Sequence, residues 1–395
     1  MTGNITIPII DLGLHGHADS FFNSDMVDEA LDSLPLICRL DLESGLIQLE
    51  KITDANDRYN FLDYSYTSAN STTSRNHWNQ LVESIHCRKS LTGKNLLEVG
   101  SNDGYLLSQA LKYTKNVVGI DASAYMSEVA NSKGIPTIQG IFGETEEIEN
   151  QLNDKYLKYD FIVANNVLNH SNSPTSFLNL VKKYLNSDGL FVFEVPYWLN
   201  TIKSLRFDQI YHEHITYFTV ESVEHMLKMS GLYIYDIEVV DYHGGSMRVY
   251  ANQKETNSPA KVTLLHEELK YNLKEPTTYE NYMGKIKKNR NAFMEKVDVE
   301  KHKGISTVFG VGAAAKANTF LTYYGFNSDT MKFVLDSSKY KQGKITPVTR
   351  IPIVGDEAVV DIKDGLGILL AWNIGSDLKS KLLSMNSNLN FLDSL

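Results

Sequence analysis

The sequence predicts an α/β chain with two doubly wound units, each a parallel sheet covered by helices, preceded by a small β-containing lobe. Three observations carry this. Residues 95–100 (NLLEVG) form an apolar run that ends in a glycine turn, and residues 307–312 (TVFGVG) repeat the scheme. A helical pattern follows each, and then a second apolar run ending at an aspartate: 117–120 (VVGI) before Asp121, and 333–335 (FVL) before Asp336. Continuous apolar strands alternating with helices belong to parallel sheets buried on both faces.

Along the chain, the region before residue 75 differs from both units. Short apolar runs (ITIPIIDLG, LPLICRL, GLIQLE) alternate there with polar turns, which predicts the small lobe over residues 1–75. The first α/β unit is expected over 76–255. Residues 258–303 are rich in Lys, Glu and Asn with helical apolar spacing (Leu264, Leu265, Leu269, Tyr271), and they read as solvent-facing connecting helices. Connector and second unit together fill 256–395. A length of 395 residues suits two or three domains with separate cores.

Composition excludes several function classes. With 48 Asp+Glu against 38 Lys+Arg and a formal net charge of −10, the chain lacks the basic excess of general nucleic-acid binders. No run of about 18 apolar residues exists to span a membrane. The start, MTGNITIPIIDLG, lacks the basic stretch and cleavage site of a signal peptide, so a cytoplasmic location is expected. Cys38 and Cys87 are too few for a disulfide framework or a cysteine-rich metal site.

The first glycine turn, Glu98-Val99-Gly100-Ser101-Asn102-Asp103-Gly104, has the spacing E-x-G-x-x-x-G rather than the G-x-G-x-x-G of dinucleotide folds. It resembles motif I of class I S-adenosylmethionine (SAM) methyltransferases. Asp121, at the end of the next strand, is placed to accept hydrogen bonds from both ribose hydroxyls. The run YDFIVANNVLNH (159–170) reads as a further strand whose end, Asn165 to His170, opens over the same crevice. Glu98, Gly100, Asn102, Asp103, Gly104, Asp121, Asn165 and Asn166 are the candidate cofactor residues. As plain turn glycines and a helix cap, Gly100, Gly104 and Asp121 would have no ligand at all.

The densest titratable cluster is Phe207-Asp208-Gln209-Ile210-Tyr211-His212-Glu213-His214. Two imidazoles, a carboxylate and a phenol can supply a general base, its orienting partner and a proton donor. A solvated surface turn is the bland reading. A metal site lacks a third ligand at convincing spacing.

The string FDQIYHEHITYFT resembles the signature of the SAM-dependent C-methyltransferases that act on nucleotide-linked keto-deoxysugars. DYSYTSANSTTSRNHW (63–78), LLEVGSNDGYLL (96–107), VLNH (167–170), GLFVFEVPYW (189–198) and HGGSMRVY (243–250) match in the same order. So do GVGAAAKANTFL (310–321), DSSKYKQGKITP (336–347) and LLAWN (369–373). The resemblance implies a class I SAM methyltransferase domain between a zinc-binding N-terminal lobe and a C-terminal Rossmann-like domain that helps hold the sugar nucleotide. It implies His214 as the base that takes a proton from the carbon beside the keto group. Tyr211, Glu213 and His170 would line that site, with Tyr66 or Tyr64 closing it from the N-terminal side. Asp41 and Ser44 stand where a zinc cysteine pair is expected, and no earlier pair exists, so the lobe is expected to fold without zinc.

The second turn, Gly310-Val311-Gly312-Ala313-Ala314-Ala315, fits G-x-G-x-x-A. Alone it would favour a nicotinamide-dependent oxidoreductase, the rival enzyme class, while Lys316 at the helix start suits a phosphate. Lys316, Asn318, Arg248 and Tyr64 are the candidate substrate residues. The expected partners are small molecules: SAM, released as S-adenosylhomocysteine, and a keto-sugar nucleotide. Neither nucleic acid nor membrane is expected, and the chain would be a monomer or small homo-oligomer. A methyltransferase acting on another acceptor atom and a non-enzymatic SAM-binding protein are the remaining alternatives.

Overall fold

The computed structural model describes residues 5–26, 33–54, 71–155 and 158–395. The N-terminal lobe is built on β1 (Thr6–His15), β2 (Phe22–Asn23), β3 (Leu34–Asp41) and β4 (Ile47–Leu49). Alternating burial along β3 fits a sheet with one solvated face. The first unit follows with β5 (Leu96–Val99), β6 (Val117–Asp121), β7 (Thr137–Gln139), β8 (Tyr159–Asn165) and β9 (Leu185–Pro196). Then come β10 (Thr216–Tyr217), β11 (Tyr233–Val240) and β12 (Ser246–Asn252).

The first unit's seven-stranded sheet runs β11-β12-β9-β8-β5-β6-β7, the class I SAM methyltransferase order. The expectation of an all-parallel sheet needs one correction. β12 runs antiparallel to both β9 and β11. The hairpin Asp241–Gly245 turns the chain back, which the apolar pattern alone does not report.

β10 leaves this unit to pair with β4, so the lobe's sheet reads β1-β3-β4-β10. The segment that follows His214 is thereby stitched to the lobe. Asp41 ends β3, and its carboxylate accepts from the backbone N–H groups of Glu43 (2.8 Å) and Ser44 (3.1 Å), closing the turn. Cys38 beside it is fully buried, and burial pushes its thiol far above the usual range, so a thiolate is disfavoured. This turn does not fit a thiolate metal site.

The second unit contains β13 (Thr307–Val311), β14 (Val334–Leu335), β15 (Lys344–Ile345), β16 (Ile353–Val354), β17 (Gly365–Leu369) and β18 (Leu389–Asp393). Its parallel five-stranded sheet has the order β16-β14-β13-β17-β18. β15 pairs with β2 of the lobe. The connecting helices span Pro259–Leu269 and Pro276–His302. The longer is not simply solvent-facing: Tyr279, Tyr282, Ile286, Phe293 and Val297 form a buried stripe, and Phe293 meets Phe320 edge-on at 5.7 Å. Among the described residues no helix is long and apolar enough to cross a membrane.

Candidate active site

Both sheets bring the carboxyl ends of their strands to one cavity of about 670 Å³. Each sheet has its reversal of strand order there, β5 against β8 and β13 against β17, which is where open α/β sheets bind ligands.

On the first sheet, Gly100 follows β5 in the left-handed region (φ +72°), and a Cβ there would lie 2.3 Å from Val167 Cγ2. Only glycine allows that approach. Asp121, ending β6, accepts from the backbone N–H of Asn102 (2.7 Å) with one oxygen and from that of Ser123 (2.9 Å) with the other. Burial raises the Asp121 carboxyl above the usual carboxylate range. Glu98 is raised further, by burial and then by the like charges of Asp121 and Asp103. Its Oε2 is buried with no hydrogen-bond partner among the described residues, and so are both carboxamide atoms of Asn165. Buried carboxyls that disfavour each other's ionisation await a cation, and SAM carries two, a sulfonium and an ammonium. Phe142 and Phe177, edge-to-face at 5.0 Å, supply an apolar wall beside them. These residues fit the cofactor.

Across the cavity stands His214. Its Nδ1 lies 3.0 Å from the Gln209 carbonyl, so Nδ1 carries the proton and Nε2 the lone pair. The Tyr211 hydroxyl donates to that Nε2 at 2.6 Å. Burial, with Lys316 nearby, brings the imidazole down to about 3, so it stays neutral at physiological pH. His170 meets the His214 ring edge-on at 4.9 Å. Glu213 Oε1 accepts from the backbone N–H of Asp19, tying the lobe to this segment. His212 turns the other way, within 3.4 Å of the Gly16 and Pro35 carbonyls.

The second sheet closes the third side. Gly312 (φ +90°) follows β13, and a Cβ there would lie 2.4 Å from Ala371 Cβ. Lys316 Nζ lies 2.5 Å from Asn373 Oδ1 and 3.8 Å from the Trp372 ring centroid. Burial brings this ammonium down to about 8 against the pull of Asp208.

Of the sequence-derived candidates, His214, Tyr211, Glu213, His170, Glu98, Gly100, Asn102, Asp121, Asn165, Asn166 and Lys316 all line this cavity. Tyr64 and Tyr66 lie outside the described residues. Four candidates lie off the wall. Arg248 faces Glu194 and Glu238 across adjacent strands, and its guanidinium pairs with both (2.6 and 3.3 Å). Glu194 is fully buried and also bonds His77 at 2.7 Å, so Arg248 is spent neutralising a core carboxylate. Asn318 donates to the Ala18 carbonyl. Asp103 pairs with Lys133 at 3.1 Å, and Gly104 packs against Ile135 and Ala130 behind the turn.

Sequence reasoning missed His243, Lys341, Phe142 and Phe177, which also line the cavity. His243 sits in the HGGS string that reads equally well as a turn. The two phenylalanines become wall residues only once strand order is known.

Residues 76–237 match the family described as "Methyltransferase domain", and residues 241–389 match "C-methyltransferase C-terminal domain". The chain is 31% identical over 322 residues to C-methyltransferase NovU of Streptomyces niveus, covering 80% of this chain and 76% of that protein. Among solved structures, magnesium protoporphyrin IX methyltransferase of Synechocystis PCC 6803 with bound SAH aligns over 46% of this chain and 83% of its own, at 13% identity and TM-score 0.38. The PH0226 protein of Pyrococcus horikoshii OT3 aligns over 50% and 99%, at 15% identity and TM-score 0.40. Those two scores are too low to add to the argument.

Proposed function

The chain belongs to the SAM-dependent C-methyltransferase family, and on that premise we propose that it methylates a carbon beside the keto group of a nucleotide-linked deoxysugar, with His214 as general base. The carrying observation is that the His214–Tyr211 pair opens onto the same cavity as Glu98, Gly100 and Asp121. Membership of this family sets aside the nicotinamide-dependent rival and acceptors other than carbon.

In this reading His214 Nε2 takes the proton of the acidic C–H, and the electron pair left behind delocalises onto the carbonyl oxygen. The Nδ1–H bond to Gln209 holds the ring so that Nε2 faces the cavity. The Tyr211 O–H must first leave Nε2 and turn to the keto oxygen of the acceptor, which frees the one Nε2 lone pair for the C–H proton and leaves the hydroxyl donating to the oxyanion as it forms. A donor aimed at developing charge is worth a few kcal/mol (roughly 3–4) in transition-state stabilisation. His170 packs against the imidazole and limits its rotation. SAM, when bound, supplies an electrophilic methyl group, which the carbanion takes with release of S-adenosylhomocysteine.

Lys316, Gly312 and the start of the helix Ala315–Tyr324 are read as the diphosphate end of the acceptor site. Domains at 1–75, 76–255 and 256–395, a metal-free N-terminal lobe, a cytoplasmic location and a monomer or small homo-oligomer complete the proposal. The Asp41 turn supports the metal-free lobe, since its carboxylate already closes what a metal would otherwise cross-link.

The test is His214→Asn. Turnover with a keto-sugar nucleotide is expected to fall by about 10²–10⁴-fold, the usual worth of a positioned general base, with SAM affinity unchanged. Retained turnover removes His214 as the base. SAM binding without methyl transfer to any keto-sugar nucleotide removes the acceptor class.

A further inference from the structure

The segment that carries His214 is anchored from the second α/β unit, which the proposed chemistry uses only as a seat for the acceptor. Phe207 is buried against the helix Ala315–Tyr324, its ring centroid 5.0 Å from that of Tyr323 and 5.9 Å from that of Tyr324. On the same helix, the Thr319 hydroxyl donates to the Ile210 carbonyl at 2.9 Å. Between Phe207 and Ile210 in sequence stands the buried Asp208, whose Oδ2 accepts from the indole N–H of Trp372 at 2.6 Å. Its Oδ1 is buried with no hydrogen-bond partner among the described residues, so the indole bond is what compensates this carboxylate. Burial raises the Asp208 carboxyl above its ordinary range, and the charge of Lys316 and the indole bond pull it back.

Neither Trp372 nor Asp208 lines the cavity, but the residue after each of them does. Gln209, after Asp208, accepts the His214 Nδ1–H with its carbonyl and donates through Nε2 to the His243 carbonyl at 3.0 Å. Asn373, after Trp372, is bonded to Lys316, whose ammonium also lies over the indole ring. The fit around the indole is close: a Cβ on Gly244 would lie 2.5 Å from Trp372 Cη2 and 2.6 Å from Gln209 Nε2. One side chain thus joins the Lys316 end of the cavity to the backbone that fixes the imidazole.

We propose that Trp372 is a positioning residue, which by its N–H bond to Asp208 holds the 207–214 segment so that His214 Nε2 meets the acceptor's C–H. This rests on the reading of His214 as the base toward a keto-sugar nucleotide. A base displaced by about 1 Å loses on the order of 100-fold in rate. The acceptor, seated by other groups, keeps its affinity.

The test reads proton removal by itself, as uptake of solvent deuterium beside the keto group. The full-length protein with S-adenosylhomocysteine is given 4-keto-6-deoxyglucose carried on thymidine, uridine and guanosine diphosphate in turn. Trp372→Phe keeps a ring for Lys316 and removes the donor. Exchange at saturating acceptor is expected to fall about 10- to 100-fold, with acceptor KM and S-adenosylhomocysteine affinity both retained. Asp208→Ala falls as far, and the double variant no further, because both substitutions remove one link. Asp208→Asn keeps an oxygen for the indole and retains most of the native rate. S-adenosylhomocysteine affinity reports that each variant is folded. Exchange that survives Trp372→Phe, a loss confined to KM, or effects that multiply in the double variant overturn the positioning role and leave His214 as the base. Absence of exchange above the enzyme-free rate in the native protein, with all three probes, overturns the base reading itself.

Discussion

Two regions of this molecule use one scaffold for opposite charges. β7-β6-β5-β8-β9 and β16-β14-β13-β17-β18 have the same strand order, and in each a glycine after the first strand presses on a residue after the fourth. In each, an aspartate after the second strand accepts the same two backbone bonds. The difference lies in the side chains at the turn. The first has Glu98 and Asp121 on the cavity wall and suits a cation. The second has three alanines followed by Lys316, with Lys341 Nζ donating to the Ala313 carbonyl at 2.8 Å, and suits an anion. Topology sets where a ligand lies, and a few charged groups set which ligand.

The sharpest way to break the comparison is to fill each glycine in turn. Gly100→Ala puts a methyl group 2.3 Å from Val167 at a positive φ, and Gly312→Ala does the same 2.4 Å from Ala371. Each is expected to weaken its own ligand by at least about 100-fold, two factors of ten in the binding constant, and to leave the other ligand within about threefold. Calorimetry with SAM and with the acceptor nucleotide reads both. If either substitution abolishes both ligands, the two turns are not independent sites.

Next in size is the charge of the second turn. Lys316 is charged below about pH 8 and neutral above it, because burial lowers its pKa. The acceptor's kcat/KM is therefore expected to fall as pH rises through 8, with no parallel fall in SAM affinity. Lys316→Arg, always charged, should remove that alkaline limb. Lys316→Ala should cost about 10- to 100-fold in acceptor KM at pH 7, as loss of a charge-assisted hydrogen bond does. A limb that persists in the arginine variant belongs to another group.

How much of this was legible beforehand follows from range. Local signals carried far. The runs around Leu96–Val99 and Thr307–Val311 are continuous because both faces of those strands are covered, and the glycine turns follow directly. The cluster at 207–214 was visible as chemistry, and its cavity position follows from β10 pinning the segment to the lobe. Arg248 was misread because an arginine facing a phosphate and one facing Glu194 look alike until strand register sets β12 against β9. The reversal of β12 was hidden for the same reason, since burial of that strand reads the same in either direction. Asp336 is matched to Asp121 by its place after the second apolar run, but their common hydrogen bonding is not legible there, because it lies in backbone bonds, here to Ala313 and Ser338, that no side-chain pattern encodes.

The smallest effect tests the cationic turn from the inside. Glu98 in the folded protein is raised well above its ordinary value by burial and by its carboxylate neighbours. Above the unfolded pKa (about 4.3), the unfolded chain holds the ionised form more readily than the folded one, so Glu98 costs stability at neutral pH. Glu98→Gln is expected to raise the Tm of the first α/β unit by about 2–4 °C at pH 7, the shift that roughly 1 kcal/mol gives a unit of about 150–250 residues. The gain should vanish at acid pH, where both states hold the proton. The same substitution should weaken SAM by about tenfold, one pKa unit of interaction, and weaken uncharged-sulfur S-adenosylhomocysteine less. In the native protein SAM affinity should rise with pH as Glu98 gives up its proton, and in the variant that slope should flatten. A variant that gains stability and keeps full SAM affinity would show that the carboxyl is strained for some reason other than the cation it faces.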